Sequence, residues 1–249
     1  MTSDAVVVDV SRDWATACDV QERFMQLAGP TIDTLSYSAR CQQVRALGGD
    51  FYDFMPLPDN RLALAVGDAS GKGLAAALMI SNVQSSLRTA ASLTGNDGPA
   101  ALTAVNRQVY ASSLEDRYAT LFYGVIDGAT RRMQYVNAGH NPPMVIRQGS
   151  SITWLRAGGV PVGIFPDSTY ALEAIQLNPG DLILAYTDGV IEAANTAGDE
   201  WGVEGLQKAA AESDAQCADD VVHAIFASMD DFSRGHQTDD ATVVVVRVH

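Results

Sequence analysis

Apolar residues in this chain fall mostly into short runs joined by glycine, asparagine and aspartate turns, and that punctuation restricts the fold more than any other feature. "RLALAVGD" (61–68) sets Leu62, Leu64 and Val66 on one side of an extended segment and the small Ala63 and Ala65 on the other, as expected of a strand buried on both faces. "YATLFYGVIDGATRRMQYVNAGH" reads as two strands around Asp127-Gly128, and "PPMVIRQGSSITWL" as two more around Gln148 to Ser151. "LEAIQLNPGDLILAYTDG" repeats the arrangement with a turn at Asn178 to Asp181, and "ATVVVVRV" reads as a central strand buried on both faces. Helical periodicity interrupts these runs only from Leu74 to Leu93, from Pro99 to Ser113, and near Val203 to Ala211 and Ala218 to Met229. Hairpins with helices inserted in blocks indicate an α+β fold of antiparallel sheets covered by helices, not a doubly wound parallel sheet.

Ahead of this region, Trp14, Ala17, Val20, Phe24 and Leu27 recur at helical spacing, with Asp13, Asp19, Gln21, Glu22 and Gln26 between them. They predict one amphipathic helix ending before Gly29-Pro30, either packed on the following domain or serving as a linker or dimer helix. The expected division is an N-terminal segment, 1–29, and a single domain, 30–249.

With 249 residues and 47% hydrophobic composition, the chain can bury a substantial core. Its 16 lysines and arginines face 30 aspartates and glutamates, a net charge of -14, and no basic run occurs. Nucleic acid is therefore not an expected partner, since affinity for it comes from neutralised phosphates. Cys18, Cys41 and Cys217 are far apart, without a CxxC pair, and read as reduced thiols. The N-terminus has neither a basic n-region nor an apolar run long enough for a signal or a membrane span, so a cytoplasmic location without membrane association is expected.

Four aspartates share one context, the edge of an apolar strand beside Gly or a second Asp: Asp50 in "GGDFYD", Asp68 in "AVGDASGKG", Asp188 in "LAYTDGV" and Asp239 in "QTDDATVVVV". Any one Asp-Gly pair is usually a turn. Four at the ends of neighbouring strands would repel one another unless cations sat among them. All-oxygen ligands suit magnesium or manganese, and two such ions about 4 Å apart activate a water for attack on a phosphate ester. "GDASGKG" is not a P-loop: three residues separate Gly67 from Gly71, and Gly73 follows Lys72 where Ser or Thr is required.

Taken in order, "RALGGDFYDF", "LALAVGDASGKGLAAALM", "YVNAGHNPP", "YTDGVIEAAN" and "TDDATVVVVRV" resemble the PPM (type 2C) metal-dependent protein phosphatases, in particular their bacterial SpoIIE/RsbU branch. The resemblance runs from about Thr31 to Val248 and implies an αββα sandwich of two antiparallel sheets flanked by helices. It also implies hydrolysis of phosphoserine or phosphothreonine with two manganese or magnesium ions. By position, Asp68 resembles the carboxylate bridging both metals and the Ala69 carbonyl a ligand of the first, while Asp50, Asp188 and Asp239 match the remaining acidic positions. Asp50 and Asp68 are the expected catalytic pair. Arg45 matches an arginine that binds substrate phosphate in some relatives, a task suited to a permanently charged fork of donors. The implied substrate is a phosphorylated STAS-type anti-anti-sigma factor. Ser70 stands where eukaryotic members carry a histidine two residues after the bridging aspartate, and a hydroxyl is a poor general acid near neutrality. His140 and His236 are given no role. The alternatives are a pseudophosphatase that docks a phosphoprotein without turnover and a hydrolase of small phosphate esters.

Overall fold

Strands with apolar residues on both faces need cover on both sides, and the chain provides it in four layers. The computed structural model describes residues 10–25, 29–113, 116–148, 151–213 and 217–249. In chain order the elements are α1 (Val10–Met25), β1 (Leu35–Gln42), β2 (Asp50–Leu57), β3 (Arg61–Ala69), α2 (Leu74–Thr94), α3 (Gly98–Ser112), β4 (Ala119–Asp127), β5 (Arg132–Ala138) and β6 (Met144–Ile146). They continue with β7 (Ile152–Trp154), β8 (Gly158–Gly159), β9 (Glu173–Gln176), β10 (Leu182–Tyr186), α4 (Asp188–Ile191), α5 (Gly202–Glu212), α6 (Ala218–Ser233) and β11 (Ala241–Val248). One sheet runs β1-β11-β10-β6-β7; the other runs β2-β3-β4-β5-β8, with β9 also on β5.

The two faces of β3 divide as their side-chain sizes require. Leu62, Leu64 and Val66 meet Phe122, Ile183, Val244 and Val246 between the sheets. Ala63 and Ala65 lie under α2 and α3 with Val83, Leu87, Leu102 and Val105, where small residues let the helices approach. The valines of β11 split the same way, Val244 and Val246 inward and Val243 and Val245 toward Ile225 and Phe226 of α6. Burial of each such side chain contributes about 1.5–3 kcal/mol, so the three packed interfaces dominate the stability. Asp97 starts α3 by accepting a hydrogen bond from the Ala100 amide at 3.0 Å.

Some expectations are corrected. The strands flanking Asn178 to Asp181 do not form a hairpin: β9 pairs with β5 of one sheet, and β10 with β11 and β6 of the other. The turn instead carries the chain between sheets, and the buried Asp181, paired with Arg147, fixes it by accepting from the Asn178 amide at 2.8 Å. The second sheet is not wholly antiparallel, since β8 joins β5 in parallel through two residues. Asp188 opens the one-turn helix α4, which periodicity could not reveal at that length.

The first helix is described over Val10–Met25; Leu27 lies outside the described residues, as do residues 149 and 150 of the Gln148 to Ser151 turn. On α1, Trp14 and Val20 remain 40% and 48% exposed, and polar Gln21 is the buried contact. No helix among the described residues is long and apolar enough to cross a membrane.

Candidate active site

Antiparallel pairing of β2 with β3 sets Asp50 directly opposite Asp68. Asp50 is only 2% exposed, and its Oδ2 accepts from Thr187 Oγ1 and Thr242 Oγ1, each at 2.7 Å. Both threonines belong to the other sheet's side of the sandwich, and they are themselves joined by the Thr242 amide donating to Thr187 Oγ1 at 2.9 Å. Burial, then the charge of Asp68, raises the Asp50 carboxyl well above its usual range, opposed by the two hydroxyls.

The other acidic groups converge on Asp68. Its pKa is pushed up to about 7 by burial first and then by the charges of Asp188, Asp239 and Asp240, while a hydrogen bond with Asp50 acts the other way. Asp188 is raised too, by burial and then by Asp239, against the helping Gly189 amide. Gly189 cannot carry a side chain here, because a Cβ would stand 2.1 Å from the Asp240 carbonyl oxygen. The glycine of "TDG" thus permits α4 to lie against the entry to β11, which places Asp188 beside Asp239.

The loop before Asp50 is held from two directions. Asp240 accepts from the amides of Val44 at 2.8 Å and Gly49 at 2.9 Å. Gln21 of α1 donates to the Gly48 carbonyl at 2.8 Å and accepts from the Gly48 amide at 3.1 Å. Ala69 is tied to the same loop, its amide donating to the Gly49 carbonyl at 3.0 Å. Exposed Arg45 and Lys72 line a cavity of about 130 Å³ with Val44, Gly73, Thr238, Asp239 and Asp240. A larger cavity, about 570 Å³, adjoins the Ser70 turn on the side of Tyr110, Arg117 and Tyr118. Asp116 and Arg117 supply its charged groups, whereas Asp239 and Asp240 line the smaller one.

Ser70 is engaged in structure: its amide donates to the Tyr118 carbonyl at 2.8 Å, its Oγ accepts from the Tyr118 amide at 3.0 Å, and its carbonyl accepts from Arg117 at 2.8 Å. His140 is buried, its Nδ1 at 2.8 Å from Thr120 Oγ1, and burial lowers its pKa to about 4. His236 is exposed.

Residues 58–249 match the family described as Stage II sporulation protein E (SpoIIE). This chain belongs to the SpoIIE family. It is 28% identical to protein IcfG of Synechocystis sp. over 215 residues, covering 76% of this chain and 34% of IcfG, about a third of that relative's length. It is 26% identical over 240 residues to the phosphoserine phosphatase RsbU of Bacillus subtilis, covering 96% of this chain and 71% of RsbU. Its fold superposes on the SiaA-PP2C domain of Pseudomonas aeruginosa with a TM-score of 0.82 and 21% identity, over 96% of this chain and 97% of that one. The αββα sandwich of this SpoIIE member is therefore a PP2C fold.

Sequence reasoning did not find the two threonine donors, the anchoring role of Asp240 or the buried Asp53, which pairs with Arg88 and accepts from Gln84 at 3.2 Å. The threonines were visible beside the aspartates in "YTDG" and "TDDAT", but their partner is 137 and 192 residues away in the chain.

Proposed function

We propose that this chain is a metal-dependent phosphatase acting on phosphoserine or phosphothreonine of a protein. The observation that carries the reading is the facing pair Asp50 and Asp68, with Asp188 and Asp239 close enough that their charges add to burial in raising the Asp68 carboxyl. Among the described residues, no three His, Cys, Asp or Glu side chains stand in the closed geometry of a metal site. The donor chemistry nevertheless fits hard divalent ions: the converging ligands are carboxylates, and Lys72 on Asp239 is the cation paired within the group. Asp50, Asp68, Asp188, Asp239 and the Ala69 carbonyl would hold two manganese or magnesium ions. When bound, such ions supply a Lewis acid for the phosphoryl oxygens and lower the pKa of the attacking water.

The chain's own residues do the positioning. Thr187 and Thr242 orient Asp50 by donating to one of its oxygens, leaving the other toward the cluster. Arg45, exposed at the rim of the 130 Å³ cavity, presents parallel donors for a phosphate entering there. Similarity to the phosphoserine phosphatase RsbU over 96% of the chain supports a phosphoserine substrate, which we assign to a protein of the STAS-type anti-anti-sigma class. Residues 1–29 would act as a linker ahead of a phosphatase domain at 30–249, with α1 joining two copies through exposed Trp14 and Val20.

Manganese-dependent hydrolysis of an aryl phosphate, compared among wild type, Asp68→Asn and Asp188→Asn, tests the reading. Loss of at least a hundredfold in each variant is expected, and equal rates in all three would refute the carboxylate cluster as the active site. A phosphorylated STAS protein assayed beside the free ester at matched concentration separates protein from small-molecule specificity. Tight phosphoprotein binding without turnover would mark a pseudophosphatase.

A further inference from the structure

Lys72 follows Gly71 in "GDASGKG", a Gly-Lys pair without the spacing of a P-loop. In the fold it sits between Gly71 (φ 93°) and Gly73 (φ 76°), in the turn that leads from β3 into α2. Both glycines occupy the left-handed region, which other residues rarely adopt, and this backbone sets the turn's course. That course sends the Lys72 side chain across the sandwich to the entry of β11. There Nζ meets Asp239 Oδ2 at 2.6 Å and donates to the Thr238 carbonyl at 3.2 Å.

We propose that Lys72 is an internal counter-ion that competes with a divalent ion for Asp239 and, once displaced, joins Arg45 as a second cationic contact for substrate phosphate. The inference rests on the phosphatase reading above. Three features support it. Asp239 is a candidate ligand whose carboxylate is already occupied by a cation, and a carboxylate oxygen engaged by an ammonium at hydrogen-bond distance is not free for a metal. The pair is also exchangeable: the side chains of Lys72 and Asp239 are 49% and 35% exposed, and water-accessible pairs of this kind are weak. Finally, the released ammonium has a destination, since Lys72 and Arg45 line the same 130 Å³ cavity, and a Cβ on Gly73, next to Lys72, would stand 3.4 Å from Arg45 Nη1. Arg45 offers a rigid planar fork and Lys72 a mobile point charge on a flexible stem, so only the lysine suits a group that must change partners.

The proposal predicts effects of opposite sign on two ligands. Manganese binding to the full chain, followed by electron paramagnetic resonance of the free ion, should tighten about two- to fivefold in Lys72→Met, the range open to an exposed ion pair. Inhibition of the manganese-loaded protein by inorganic phosphate should weaken about tenfold in the same variant, as expected for loss of one charge-assisted hydrogen bond. Lys72→Arg should keep manganese affinity within twofold of wild type, and Lys72→Gln should repeat the behaviour of Lys72→Met. A residue that only shaped the turn would weaken both ligands together, and that outcome overturns the proposal. Wild type that binds manganese and hydrolyses the ester, beside a Lys72→Met variant with unchanged manganese affinity, overturns the role of Lys72 alone. Wild type that binds no manganese overturns both this role and the phosphatase reading.

Discussion

Asp50 is the residue on which the site is most exposed to small changes. It is buried, it faces a second carboxylate, and two hydroxyl donors oppose the resulting rise in its pKa. Thr242→Val keeps the shape and the backbone amide but removes one donor, leaving an oxygen of a buried carboxylate less satisfied. A loss of about 1–2 kcal/mol in urea unfolding is expected, together with weaker manganese binding. His140 presents the opposite case, a base kept neutral. Burial holds its pKa at about 4 in the folded chain against 6.5 for the free side chain. Folding is therefore favoured by the neutral form above pH 6.5, and that contribution is lost as pH falls from 6.5 through 4. The full difference is on the order of 3 kcal/mol. Urea midpoints measured across this window should flatten in His140→Gln, whose side-chain amide can either donate to or accept from Thr120.

At the level of elements, strands and long helices were legible because their periodicity is local. Leu62, Leu64 and Val66 against Ala63 and Ala65 announced both the strand and its two unlike neighbours. The convergence of Asp50 and Asp68 was legible for the same reason, since a short hairpin connects them. What periodicity cannot encode is which sheet a strand joins: β9 and β10 are separated by a turn that looks like a hairpin, yet they pair with different partners. The Asp53–Arg88 pair was hidden likewise, because "DFYDF" gives no sign that its second aspartate turns inward toward α2. Arg88→Met would leave that carboxylate buried with Gln84 as its one side-chain donor among the described residues. A cost of roughly 3 kcal/mol is expected in chemical denaturation, most of it recovered in the double variant Asp53→Asn, Arg88→Met.

At the scale of the molecule, the acidic groups come from both sheets: Asp50 and Asp68 from β2 and β3, Asp188 and Asp239 from the ends next to β10 and β11. Divalent ions bound among them would bind the folded chain and not the unfolded one. At a hundredfold excess over Kd, one site adds about 2.7 kcal/mol, or roughly 5–10 °C in Tm for a domain of this size. Thermal unfolding with and without manganese should display this shift in wild type and lose it in Asp68→Asn.

The two hydroxyls that reach from Thr187 and Thr242 to one oxygen of Asp50 carry a further meaning. They are the rivets across a seam, and hydrogen bonds of 2.7 Å tolerate little slippage between the plates they join. Relative sliding of the sheets by about an ångström would part them while leaving every strand ladder intact. The carboxylate geometry is thus a vernier for the alignment of the two halves of the sandwich, and whatever presses or loosens one half against the other is read out first at Asp50.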